Sequence, residues 1–210
     1  NPQHTFNYKA PFSPIDVLEE YTRPARMLID HEVVTEPALS DIETMKFEDA
    51  GTLAAFNTDG LRSLLSTMNH IPNLKEKTLR YPGHAELMLE YRNKGLFNNN
   101  NIAETSKKLF EEWKLDENEI EFTVLDIIIK GEMKMITYHL YDEFDLTSRT
   151  SSMARTTGYT ATASINLILE NLWSEYGVFP PEMVGAKPEC MKFILQYLHQ
   201  RNVIISEKTL

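Results

Sequence analysis

Nine residues, Ser151-Ser152-Met153-Ala154-Arg155-Thr156-Thr157-Gly158-Tyr159, join strand-like sequence to helix-like sequence, and this join constrains the chain more than any other stretch. Before it, Phe122–Lys130 and Met135–Phe144 read as the two strands of a hairpin turning at Gly131-Glu132. After it, Thr160–Trp173 carries apolar residues at Ala161, Ile165, Leu167, Ile168, Leu169 and Leu172, a spacing that predicts a helix packed on a core. The first N–H groups of a helix have no partner inside it and favour anions. Ser151, Ser152, Thr156 and Thr157 add hydroxyls, and Arg155 adds a fork suited to carboxylate or phosphate. Two readings stand: a plain helix cap with exposed polar residues, or an anion site.

The stretch from Tyr141 to Gly185 that contains this join resembles the C-terminal part of the saccharopine dehydrogenase family. So do three earlier ones, NYKAPFSPIDVLEEYTRPAR at 7–26, FEDAGTLAAFNTDGLRSL at 47–64 and KTLRYPGHAELM at 77–88. That family includes saccharopine reductases, lysine 6-dehydrogenases and carboxynorspermidine dehydrogenases. The resemblance implies a substrate-binding and dimerisation domain of an oxidoreductase acting on a C–N bond of an amino acid such as saccharopine or lysine. It implies NAD or NADP in the parent protein, held mainly by a Rossmann domain that precedes this point. The alternative kept open is a non-catalytic binding or dimerisation module with the family fold.

Bulk properties fit that picture. Two hundred and ten residues with 42% hydrophobic content suffice for a sizeable core, as one large domain or two small ones. A net charge of −10 disfavours nonspecific binding to nucleic acid or anionic membrane, while leaving room for a local basic pocket. No apolar run is long enough to span a bilayer. Cys190 is the single cysteine, so no internal disulfide or cysteine-rich metal site is expected, and a cytoplasmic location fits. Neither G-x-G-x-x-G nor G-x-x-x-x-G-K-[ST] occurs, and the chain opens on Asn-Pro. The expectation is a fragment that carries the substrate half of an enzyme, has no cofactor site of its own and has no metal site.

Along the chain, Thr5–Ala10 alternates like a short strand. Ser13 suits an N-cap and Pro14 a first helical position, with Ile15, Leu18 and Tyr21 as the apolar stripe and Pro24 as the stop. Met27–Glu36 reads as strand or turn, and Ile42–Phe47 and Thr52–Phe56 as strands about the Asp49-Ala50-Gly51 turn. Lys77–Tyr81 reads as a strand and His84–Tyr91 as a helix stopped at Lys94-Gly95. Ala103–Trp113 is predicted helical with Leu109, Phe110 and Trp113 inward, and Pro188–Arg201 helical with Met191, Ile194, Leu195 and Leu198 inward. Phe122–Lys130, apolar on both faces, is expected in the middle of its sheet. The expected fold is a single α/β domain over 1–210, a mixed sheet of about six or more strands covered by helices. Its tail, 179–210, is expected to pack toward the nucleotide-binding domain.

The resemblance also places residues. It puts the Tyr8–Ser13 segment in the substrate pocket, with Phe12 where some saccharopine reductases have tryptophan, and Ser13 beside it. It puts Thr58 and Asp59 at the cleft, where saccharopine reductases often carry an arginine; that departure favours an amine or lysine-like substrate. Thr78, Arg80 and Tyr81 are expected to point into the cleft with Arg80 holding a substrate carboxylate, and His84 to sit in the first helical turn. A structural ion pair for Arg80 and an exposed helix-start His84 are the competing readings. Arg155 and Thr156 complete the set, Arg155 either at the cleft or tying the join through carbonyls. No residue is assigned as general acid or base; Asp59, Tyr81 and His84 qualify by chemistry alone. The partners expected are a small amino-acid substrate and a second copy of the chain in a homodimer.

Overall fold

The computed structural model describes residues 6–10, 13–116 and 119–210, and the chain divides into two compact units, Asn1–Glu117 and Asn118–Leu210. The fold is α/β, with antiparallel sheets and helices in each unit. The strands do not form one mixed sheet. They form a two-stranded sheet and two three-stranded sheets, and every named pairing is antiparallel. Short turns join β1 to β2, β3 to β4 and β6 to β7, and a strand that returns within a few residues fixes an antiparallel neighbour; β4–β5 and β7–β8 pair antiparallel across longer, helix-bearing stretches.

In the first unit, α1 runs Pro14–Thr22 with Pro in its first turn, as predicted. Ser13 takes the N-cap position, but its side chain makes no cap bond; its carbonyl accepts from the N–H groups of Asp16 and Val17. The buried face is Val17, Leu18 and Tyr21, whereas Ile15 is exposed. The predicted strand before the helix reduces, in the described residues, to a bridge between Ala10 and Lys114; Thr5 and Phe12 lie outside the described residues. Next, β1 (Ala25–Ile29) pairs with β2 (Glu32–Glu36). Asp30 and His31 between them both have positive φ, 50° and 68°, the twist that a two-residue hairpin loop requires. The strands β3 (Glu43–Phe47), β4 (Gly51–Asn57) and β5 (Lys77–Arg80) form the second sheet with β4 central. Between β4 and β5 lies the short helix α2 (Leu64–Thr67).

Helix α3 (His84–Asn93) starts behind Gly83 at φ 94° and stops before Gly95 at φ 73°, conformations that a side chain would strain. Helix α4 (Ile102–Glu112) follows. The core of this unit gathers Phe6, Tyr21, Phe56, Met88, Leu109 and Trp113. Phe110, expected inward, is 41% exposed, because Leu109 and Trp113, four apart, already fill the inner face. Leu109→Ala is therefore expected to lower stability by about 2–5 kcal/mol. Phe110→Ala should cost less than about 1 kcal/mol. Urea unfolding of both variants checks the assignment, and equal losses would overturn it.

In the second unit, β6 (Phe122–Lys130) and β7 (Met135–Glu143) form the predicted hairpin. The third strand, β8 (Ile205–Thr209), pairs with β7, so β7 is central and β6 is an edge. This corrects the expected central place of β6. Its apolar residues Leu125, Ile127, Ile128 and Ile129 are exposed rather than sandwiched. A π-helical turn, Ala154–Gly158, leads into α5 (Tyr159–Leu169); α6 (Pro181–Gly185) and α7 (Pro188–His199) follow. The inward face of α5 is Ala163 and Leu167, while Ile165, Ile168 and Leu169 face outward. On α7 the buried residues are Cys190 and Leu198; Met191 and Leu195 are exposed. Within this unit Leu198 and Val203 meet Leu140 of β7, and β8 completes the sheet.

Candidate functional site

The residues expected in a cleft fall into two groups, one in each unit. In the first unit, antiparallel pairing sets Phe56 opposite Thr78 and Ala54 opposite Arg80. Thr78 and Arg80, two apart on β5, therefore share the face that carries Phe56. The chain leaves β4 at Asn57, so Thr58 comes beside Thr78, with hydroxyl oxygens 2.8 Å apart. The Thr58 hydroxyl lies 2.5 Å from Glu76 Oε2. A carboxylate only accepts, so Thr58 donates to Glu76 and Thr78 donates to Thr58. The N–H of Gly60 also donates to Glu76, at 3.1 Å. A Cβ at Gly60 would come 2.6 Å from that carboxyl group, so glycine permits the approach.

Arg80 is enclosed. Its Nη2 donates to Glu20 Oε2 at 2.6 Å, its Nε to the Tyr21 hydroxyl at 3.3 Å and its Nη1 to the Leu79 carbonyl at 2.8 Å. Its guanidinium also lies over the Tyr8 ring, 4.4 Å from the centroid. The relay continues to His84. The Tyr21 hydroxyl is 2.8 Å from His84 Nε2, and His84 Nδ1 is 2.6 Å from the Phe6 carbonyl. Since a carbonyl only accepts, Nδ1 carries the ring proton and Nε2 accepts from Tyr21. His84 is thus a fully buried neutral imidazole, not the exposed helix-start histidine of the competing reading. Burial, reinforced by the charge of Arg80, pushes its pKa down to about 3. Burial also raises the Glu20 carboxyl, with Arg80 opposing that rise and Glu76 adding to it. The Tyr8 hydroxyl and Trp113 Nε1 are buried with no hydrogen-bond partner among the described residues.

Thr58 and Thr78 thus meet at Glu76, and Arg80 and His84 meet at Tyr21; the charge of Glu76 reaching Glu20 couples the two groups. Asp59 turns the other way, to Arg26 on β1, whose Nε and Nη2 reach Oδ1 and Oδ2 at 2.9 and 2.8 Å. Those bonds hold the Asp59 carboxyl below its usual range. Tyr81 is half-buried just past β5, Ser13 is exposed, and Phe12 lies outside the described residues. Glu20, Tyr21 and Glu76 were not anticipated; on α1 and in a loop they read as solvated or core positions, and only long-range pairing brings them in.

In the second unit, the anion at the join is the chain's own. Ser152 gives its N–H and its hydroxyl to the Glu121 carboxylate. Thr156 bonds back to the Ser152 carbonyl at 2.8 Å. Arg155 holds Asp142 through Nε at 3.0 Å and Nη2 at 3.1 Å, reaches Asp145 at 3.4 Å, and donates to the carbonyls of Arg201 and Asn202. These bonds tie Arg155 to β7 and to the chain just past α7.

The described residues contain no cluster suited to a metal ion, and no described helix is long and apolar enough to cross a membrane. Every named strand pairing is antiparallel, so the named strands form no parallel strand–turn–helix unit of the kind that cradles a dinucleotide pyrophosphate. Residues 1–204 match the family model described as saccharopine dehydrogenase C-terminal domain. The structure is similar to apo histidine-tagged saccharopine dehydrogenase (L-Glu forming) from Saccharomyces cerevisiae, with a TM-score of 0.75 at 16% identity. That match covers 99% of this chain and 63% of the yeast chain.

Proposed function

Since this chain belongs to the family of saccharopine dehydrogenase C-terminal domains, we propose that its parent protein is an NAD- or NADP-dependent oxidoreductase acting on a C–N bond of an amino acid such as saccharopine or lysine. In this reading the chain supplies the substrate-binding and dimerisation part. The nicotinamide is held mainly by sequence outside these residues. The family match over 1–204 carries the proposal.

The network around Arg80 is the proposed place of substrate binding. A guanidinium carries more N–H donors than the contacts to Glu20, Tyr21 and Leu79 use, so Arg80 keeps capacity for a substrate carboxylate. Asp59 turns away to Arg26, and Thr58 offers no positive charge where saccharopine reductases often have arginine. Glu20 and Glu76 add negative charge beside it, Glu76 close enough to raise the Glu20 carboxyl. This balance favours a substrate with an amine near a carboxylate, as in lysine. A homodimer is supported by the exposed apolar residues of the β6 edge, Leu125, Ile127 and Ile129. A cytoplasmic location fits the buried free thiol of Cys190.

The test is an assay of the full-length protein against saccharopine, lysine and carboxynorspermidine with both nicotinamides. Turnover of at least one amine is expected. Arg80→Lys should raise KM for the amino acid by about tenfold or more, with less effect on KM for the nicotinamide, because lysine keeps the charge but loses the fork. No turnover with any pair favours the non-catalytic module instead.

A further inference from the structure

An open surface hollow borders the loop that carries Asp59. It has a volume of ≈ 360 Å³ and is lined by Arg23, Pro24, Arg26, Thr35, Asp59 and Arg62. Three guanidinium groups and one carboxylate therefore line a single hollow, on a chain whose net charge is −10. The parts are unequally committed. Arg26 is fixed by its two bonds to Asp59, and that pairing leaves its Nη1 uncommitted. Arg26 and Thr35 are cross-strand partners on β1 and β2, so both stand on one face of the hairpin. Arg23 pairs with Glu19 one helical turn away, a partly exposed pair that is weak in water. Arg62 is exposed, and its guanidinium makes no hydrogen bond or ion pair among the described residues, yet its charge reaches Asp59.

We propose that this open hollow binds a dianionic oxyanion group, either a phosphate or two carboxylates on a short chain, between Arg23, Arg26 and Arg62. The charges decide the ligand class. Asp59 neutralises Arg26, and Arg62 is free; the exposed Arg23–Glu19 pair is weak in water, so Arg23 can turn from Glu19 to the ligand and with Arg62 match a dianion. Guanidinium forks bind such groups through paired charge-assisted hydrogen bonds, and Thr35 adds a hydroxyl that can donate. Arg26 is held in place before the ligand arrives, which lowers the ordering cost of binding. The site is separate from the redox reading. Thr58 turns to Glu76 and Thr78, whereas its neighbour Asp59 turns to Arg26.

Calorimetric titration of the full-length protein tests this with sodium phosphate in one arm and sodium glutarate in the other, at ionic strength held constant with sodium chloride. Saturable one-to-one binding of at least one of them is expected; the arm that binds identifies the source of the group. Arg62→Ala should weaken that binding by about tenfold or more. Arg62→Gly is the safer variant for folding. Arg62 has φ 49°, and glycine adopts that conformation without strain. It should keep the thermal transition of the parent and lose binding in the same way. Heats no larger than those of chloride in both arms would overturn the proposal, as would unchanged affinity in a folded Arg62→Gly protein. Neither result bears on the redox assay.

Discussion

Arg155→Ala is expected to destabilise the second unit by about 3–5 kcal/mol. The Asp142 side chain is 5% exposed, and the Arg155 guanidinium is its countercharge. Removing the guanidinium strands a buried carboxylate. It also frees the carbonyls of Arg201 and Asn202, which lie just beyond α7. One side chain therefore joins β7, the π-helical turn and the entry to β8. The unit has little else to fall back on. Its buried apolar residues are the small groups around Leu140, Leu198 and Val203 and around Leu167, Trp173 and Cys190. A loss of this size is a large fraction of the roughly 5–15 kcal/mol typical of a folded domain. Arg155→Lys should lose less, since the charge survives but the fork does not. Arg155→Ala combined with Asp142→Asn should recover part of the loss, because the stranded charge is gone. Urea unfolding followed by tryptophan fluorescence, in which Trp173 reports the second unit and Trp113 the first, measures all of these. A loss under about 1 kcal/mol for Arg155→Ala would show the pair to be dispensable.

Local punctuation was legible in the sequence. Pro14, Gly83, Gly95 and the Gly131 turn each act within a few residues, and the elements they bound were predicted close to their observed limits. Choices decided at long range were not. Apolar residues on both faces of β6 admit a central strand or an uncovered edge, and the deciding partner, β8, lies some 80 residues later in the chain. Helix α5 is apolar nearly all round, so periodicity could not choose between the Ala163–Leu167 face and the Ile165–Ile168–Leu169 face. The candidate site divides in the same way. Motif resemblance brought in Thr58, Thr78, Arg80 and His84. It missed Glu20 and Tyr21, because on α1 they read as one polar and one core position, and nothing local says that β5 will lay a guanidinium across both.

That network makes stability depend on pH through His84. In the unfolded chain the imidazole takes a proton below its ordinary pKa of about 6.5. In the folded protein it holds out until about 3, because burial and Arg80 both oppose its charge. The folded-state pKa is therefore the lower one. The unfolded state binds the extra proton between these values, so stability is complete above pH ~6.5 and falls as pH drops through this window. Within it the slope approaches about 1.4 kcal/mol per pH unit. Glu20 acts in the opposite direction: its raised pKa means the folded state takes up a proton first on acidification, which offsets part of the loss. Asp41, Asp59 and Asp145, all held below their usual range, add a further loss only below pH ~4. The His84 contribution is isolated by comparison with His84→Gln, which keeps a side-chain amide for Tyr21 and the Phe6 carbonyl but cannot titrate. At pH 7.5 the variant should be weaker by about 1–3 kcal/mol, since its geometry fits those partners less well. Between pH 6.5 and 4.5 the native protein should lose roughly 2–3 kcal/mol more than the variant does. The two stability curves thus converge on acidification. Urea unfolding at pH 7.5, 6.5, 5.5 and 4.5 reads the difference, and parallel curves would mean that His84 titrates as it does in the unfolded chain.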